Sequence, residues 1–477
     1  MEHDDPATLT AEALLASYRS HALSPVEVVR AVLERVDRLN PAINAFALMV
    51  PGALEAARES EGRWAAGRPA GLLDGVPCTV KDLVDLAGFP TRRGSHLTSD
   101  EPMAEDAPLA AALKSSGAII IGKTTTTEFG WKSPGDCPLH GVTRNPHNLA
   151  YSTGGSSSGA GAAGAACFGP LHVGTDAGGS IRIPAAWCGL VGLKPSFGRV
   201  PQWPAGAFAN VSCAGPMTRT VRDAALMLSA IARHDPRDPL CLPDDPRDWR
   251  SGIEDGVAGM RVGIIANPGF AAPIDAEGAF ALDDAATLLR RMGADVQLAD
   301  PGLPDTSRVF GRVWGVALAR LVETFPEERR PLLDPGLLQV AAAEKDLPAT
   351  EFLSFEATRI LTAHLMARFH QRFDLALCPT VPAGPPLAGV PTADPLRALW
   401  TEWAPWTFLF NLARQPAITV PLGPGRDGLP RSVQIAAGQY RDDLVLRAAR
   451  AIEREICAQA AGTRRGQNSG EAGSGDP

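Results

Sequence analysis

The chain has 477 residues, 45% hydrophobic and 21% charged, the balance of a globular protein with a large core. A formal net charge of −8 with no Lys/Arg-rich block argues against nucleic acid or an anionic membrane as partner. No apolar run reaches the roughly 18 residues of a membrane span.

The opening MEHDDPATLT lacks the basic and apolar regions of a signal peptide. TAEALLASYRSH and SPVEVVRAVLERVDRLNP then predict two helices. In the second, Ser24 is the N-cap, Pro25 fills the first turn, Glu27 completes a capping box, and Pro41 is expected to end it. Short apolar runs alternate with helical patterns after that: VPCTVKD, the helix APLAAALKSSG, the strand AIIIG, and the glycine-rich TGGSSSGAGAAG from Thr153 to Gly164. RVGIIA, ADVQLA, LALCPT, AITVPL and SVQIAAG predict later strands, the last two flanking an Asp427-Gly428 turn. The helix DDLVLRAARAIERE closes the fold, and the polar tail from Gly462 is expected to be disordered. Without a repeat or long linker, this order predicts one large α/β domain with an N-terminal helical layer. The eight cysteines are scattered without a CxxC pair, as reduced thiols in a cytoplasmic protein would be, and give no disulfide frame or zinc site.

Three pattern matches need weighing. Gly117 to Thr124 spells G-x-x-x-x-G-K-[ST], but the four variable positions are the apolar strand itself, whereas a phosphate loop follows its strand. Gly159-Ala160-Gly161-Ala162-Ala163-Gly164 spells G-x-G-x-x-G, but polar turn formers precede it, and GAGAAGAACFG reads better as a tightly packed small-residue helix. Gly155 to Gly159 spells the G-x-S-x-G elbow with Ser157 as nucleophile. That fold wants a strand leading in and a late acid followed by a histidine, while the last histidines, His364 and His370, lie in a helical stretch.

Read with its neighbours LLDGVPCTVKDLVDLAGFPTRRGS (72–95), GKTTTTEFGW, GVTRNPHN and GTDAGGSIRIPAAWCGLVGLKP (174–195), the stretch closely resembles the amidase signature family. The resemblance covers nearly the whole chain. It implies an α/β/α body with a mixed central sheet over residues 61–460, a helical layer over 1–60 and a tail over 461–477. It also implies a serine–cis-serine–lysine triad with no histidine: Ser180 of GGSIR as nucleophile, Ser156 of GGSSSG as bridge with a cis peptide, and Lys81 of VKD as base. The chemistry fits those residue types. The N–H groups near Ala177, Gly178 and Gly179 can approach a substrate carbonyl as an oxyanion hole. A lysine works as a base only when neutral, and burial beside Val80 and Leu83 would lower its pKa. Ser157, Asp176 and Arg182 are expected to support the site, Asp176 and Arg182 by pairing with each other or with loop backbone. No metal and no cofactor is implied.

The family also contains ammonia-transfer proteins acting on misacylated tRNA, which carry an acidic run after the signature. Here that segment is NVSCAGPMT, without an acid, which points to a free-standing hydrolase of less polar amides, anilides or carbamates. Gly130, Trp131, Ile181, Trp203 and Phe208 are the candidate pocket residues. Trp400, Trp403 and Trp406 recur every three residues, as one helical stripe that packs the core or touches substrate. The alternatives are the glutaminase component of an amidotransferase, a catalytically silent binding module and a nucleotide-binding protein. The expected partner is a small amide or carbamate, and a homodimer is compatible with the sequence.

Overall fold

The computed structural model describes residues 5–271, 273–390 and 400–471, with side chains to residue 459. Eleven strands form one sheet. From edge to edge they are Phe46–Met49, Ile119–Thr124, Pro77–Lys81, Leu171–Asp176, Cys213–Thr218, Val191–Lys194, Ala417–Pro424, Pro430–Ala437, Leu375–Pro379, Arg261–Ile264 and Asp295–Leu298. Pro77–Lys81 runs parallel to both its neighbours, and the next five pairings are antiparallel. Arg261–Ile264 then lies parallel to both its neighbours, so the sheet is mixed.

Alternation along the strands assigns two faces. Cys78, Val80, Leu171 and Val173 enter the largest apolar cluster, with helices Val221–Ile231 and Asp442–Glu471. The opposite positions turn to helices Ser158–Ala165 and Arg182–Cys188: a Cβ on Gly174 would meet Ile181 and the Ser157 hydroxyl at 2.8 and 3.0 Å. Thr79 and Lys81 share that second face, which therefore carries the site. The glycines of Ser158–Ala165 allow the approach. A Cβ on Gly159 would lie 2.2 Å from the Ala45 carbonyl oxygen, so the G-x-G-x-x-G match is a packing helix.

The Ser24 capping box is formed, with Pro25 in the first turn. The helix continues past Pro41 to Ile43, because a proline removes only one bond of the ladder. It stops where Asn44 turns left-handed (φ 61°). Strands 417–424 and 430–437 make the expected hairpin. The closing helix extends to Glu471, into the segment expected to be disordered; residues 472–477 of that tail lie outside the described residues. Lys123, in the phosphate-loop match, lies inside strand Ile119–Thr124, buried and paired with Asp82 at 2.9 Å. Among the described residues no helix is long and apolar enough to cross a membrane.

Candidate active site

Lys81 ends its strand fully buried, and its Nζ donates to Ser156 Oγ at 2.7 Å and Thr175 Oγ1 at 2.9 Å, with Thr175 O at 3.5 Å. Burial holds its amine well below the ordinary lysine range, against a smaller upward pull from the Asp176 carboxylate. The burial does not come from Val80, whose side chain points to the other face of the sheet. On its own face Nζ meets the hydroxyls of Ser156 and Thr175. The Gly155–Ser156 peptide is cis.

Ser180 lies 6% exposed at the turn between strand Leu171–Asp176 and helix Arg182–Cys188, and its carbonyl accepts from Ser157 N–H at 3.2 Å. The turn is therefore tied to the residue beside Ser156, whose hydroxyl meets Lys81. Ser157 was expected to support the site, and it does so from outside the triad's own contacts. Its hydroxyl donates to Thr175 O and accepts from Thr175 N–H (3.2 and 3.3 Å), so it pins the strand under the site. A hydroxyl held in this way does not suit the elbow reading.

Asp176 and Arg182 form a fully buried ion pair through two contacts of 2.9 Å. Burial alone would push the Asp176 carboxyl up, but the Arg182 guanidinium, with Lys194 and the Asn411 amide, holds it at about 2. That carboxylate also accepts from Gly179 N–H at 2.7 Å and Ile181 N–H at 3.2 Å. Of the three expected oxyanion donors, Gly179 is thus already engaged, and Ala177 and Gly178 remain as candidates. Asn411 donates to Asp176 O and Oδ1 (2.9 and 3.0 Å), and Gln434 accepts from Arg182 at 2.6 Å. Sequence reasoning missed Thr175, Thr407, Asn411 and Gln434. Thr407 and Asn411 did carry a signal, two polar residues four apart in the otherwise apolar PWTFLFNLA.

Beside this site lies a cavity of about 1080 Å³. Its lining holds none of Lys81, Ser156 and Ser180, but two lining residues adjoin their surroundings. Trp131, in the lining, follows Gly130, where a Cβ would stand 3.2 Å from Ser156 Oγ. Trp400, also in the lining, packs on Gly178, where a Cβ would fall 2.6 Å from its ring. The Trp314 and Trp400 indoles both donate to Trp131 O, at 2.9 and 2.8 Å, and so fix this wall. Two of the cations around the cavity are paired: Lys132 with Asp136 and Asp334 (2.6 and 2.8 Å), Arg312 with Glu344 and Glu351 (2.9 and 3.0 Å). Trp131, Trp400, Val340 and Ala343 face the space between them, together with the polar Ser307, Gln339 and Thr401 and the charged Arg308 and Glu402.

Gly130 and Trp131 are thus brought to the site. Phe208 lies one layer behind, stacked on Trp314 with ring centroids 3.5 Å apart. Trp203 and Ile181 do not join the cavity lining: Trp203 is 45% exposed, and Ile181 packs against Ala160, Ala185 and Met217. The tryptophan stripe is broken, because Trp400–Trp403 and Pro405–Leu412 are separate helices. Trp406 enters a different apolar cluster from the other two. His172 is buried and neutral, held at about 3 by desolvation, with both ring nitrogens engaged by Thr79 and the Gly169 carbonyl. It is no candidate base. Among the described residues no group of three or more His, Cys, Asp or Glu side chains is placed to hold a metal.

The family model named Amidase matches residues 27–446. An acylamidase of Rhodococcus erythropolis is 36% identical over 459 residues, covering 93% of this chain and 95% of that protein. A glutamyl-tRNA(Gln) amidotransferase subunit of Geobacter metallireducens is 32% identical, covering 93% and 96%. The solved structure of a bacterial aryl acylamidase of the amidase signature family superimposes with a TM-score of 0.87 at 30% identity, covering 94% and 96%.

Proposed function

The chain belongs to the amidase family, whose enzymes act on C–N bonds, and from that premise we propose that it hydrolyses apolar or aromatic carboxamides, anilides or carbamates through an acyl-enzyme on Ser180. The observation that carries the reading is a fully buried lysine whose amine meets the Ser156 hydroxyl, with no carboxylate in ion-pair contact among the described residues. Such an amine is neutral enough to take a proton. Ser180 Oγ attacks the carbonyl carbon and its proton passes through Ser156 to Lys81. The tetrahedral oxyanion faces the N–H groups of Ala177 and Gly178. As the C–N bond breaks, the proton returns along the same relay to the leaving amine. Water then attacks the acyl carbon as Lys81 takes its proton through Ser156; the acyl C–Oγ bond breaks, the proton returns along the relay to Ser180 Oγ, and the carboxylic or carbamic acid leaves.

The aromatic wall of Trp131 and Trp400 and the paired charges beside it support an apolar substrate. The similarity to amidotransferase subunits supports a second reading, a glutaminase role. The loop after the signature speaks against it, since Asn210, Ser212 and Cys213 offer no carboxylate to an amino-acid ammonium. The test is a panel of p-nitroanilides, arylamides, esters, carbamates and free glutamine, with wild type and Ser180→Ala. The proposal expects arylamides to lead in kcat/KM and Ser180→Ala to be inactive. Preference for glutamine would favour the second reading.

A further inference from the structure

Gly178 and Gly179 share a peptide flanked by no side chain, which makes it the part of the nucleophile loop freest to rotate. That peptide is gripped at both ends. Its N–H is given to the Asp176 carboxylate at 2.7 Å, and its carbonyl oxygen accepts from the Thr407 hydroxyl at 2.6 Å. Thr407 is fully buried in helix Pro405–Leu412, and its own carbonyl accepts from Arg182 at 2.7 Å. The hydroxyl has one proton and two acceptors in range, the Ala404 carbonyl at 2.9 Å being the longer contact. Gly179 holds φ +134°, and a Cβ there would lie 2.5 Å from Thr407 Oγ1, so hydroxyl and glycine fit each other without slack.

We propose that Thr407 is a positioning residue for hydrolysis: its hydroxyl locks the Gly178–Gly179 peptide plane and thereby sets the Ser180 nucleophile against the substrate carbonyl. This rests on the acyl-enzyme reading above. A rotation of the plane would turn the carbonyl toward the Asp176 carboxylate and reset the φ of Gly179, from which Ser180 hangs. Thr407 touches no reacting atom, so its effect falls on the geometry of the transition state and leaves ground-state binding alone.

Thr407→Val keeps the shape and removes the hydroxyl, Thr407→Ser keeps the hydroxyl, and Thr407→Ala removes both. With an arylamide substrate, kcat should fall about five- to a hundred-fold in the valine and alanine variants, the cost of a buried acceptor left unpaired. KM should stay within about two-fold. The rate of fluorophosphonate labelling should fall in parallel, the pH profile should keep its midpoint, and serine should restore most of the activity. If the valine variant does not fold, the contrast between alanine and serine decides. Wild-type kcat in the alanine or valine variant, or equal loss in serine and alanine, would overturn the proposal. Ser180→Ala, run alongside, separates the two claims: if it stays active, the acyl-enzyme reading itself has failed.

Discussion

Replacing Lys81 by methionine keeps an unbranched stem of similar length and removes the amine. In the native site that amine is fully buried and contacts only two hydroxyls and a carbonyl. Losing it removes general-base help typically worth about 10² to 10⁴ in kcat, or ~3–5 kcal/mol of barrier at 1.36 kcal/mol per decade. The fold should tolerate the change. The lost hydrogen bonds contribute only about 1 kcal/mol each, and a buried amine no longer has to be kept out of water. Lys81→Arg should fail as well, since a guanidinium stays protonated at any working pH. In the wild type the base is active when neutral, so kcat/KM must rise with pH as Lys81 loses its proton. Because burial holds the amine well below the lysine range, the rise should be complete before that range is reached. The assay is stopped-flow release of p-nitroaniline across pH, with circular dichroism and thermal melts as controls. A folded Lys81→Met enzyme turning over within about three-fold of wild type at neutral pH would refute the reasoning, given the size expected of a general base.

Asp176→Asn leaves Arg182 buried without its counter-charge, which typically costs ~3–5 kcal/mol and should lower Tm by several degrees. Because the fold holds that carboxyl at about 2, below its ordinary 3.8, its stabilisation is full above pH ~4 and fades as pH falls toward 2. The Tm gap between wild type and Asp176→Asn should therefore narrow in acid, and a constant gap would contradict the assignment. Trp400→Ala removes both the ring packed on Gly178 and a donor to Trp131 O. Steady-state kinetics should show KM for an arylamide raised about ten-fold or more, with a smaller effect for a short aliphatic amide. Dialysis against a chelator should leave kcat unchanged, and recovery of lost activity by added zinc would contradict the metal-free mechanism.

Where structure follows from local chemistry, it was legible in the chain. The capping box at Ser24, the hairpin at Asp427-Gly428 and the small-residue helix after Ser157 each depend on a few adjacent residues. Strand Leu171–Asp176 was not readable as LHVGTD, since its second face carries His172, Gly174 and Asp176 toward the site and so breaks the apolar pattern. The Lys81–Ser156 contact follows from motifs 75 residues apart and could be expected by resemblance. That Lys81 meets hydroxyls while Val80 turns away depends on which face of the sheet each residue takes. The cavity was out of reach, because it forms where helices Ser307–Glu323 and Pro335–Glu344 meet Trp131 and Trp400, a pairing that no local pattern encodes.

The central claim is that Ser180 is the nucleophile. Incubation of the wild-type protein with a fluorophosphonate, followed by digestion and peptide sequencing by mass spectrometry, tests it most directly. One adduct is expected, on Ser180, formed in step with loss of amidase activity, slowed in Lys81→Met and absent from Ser180→Ala. An adduct on Ser157, or inactivation that proceeds normally in Ser180→Ala, would contradict it.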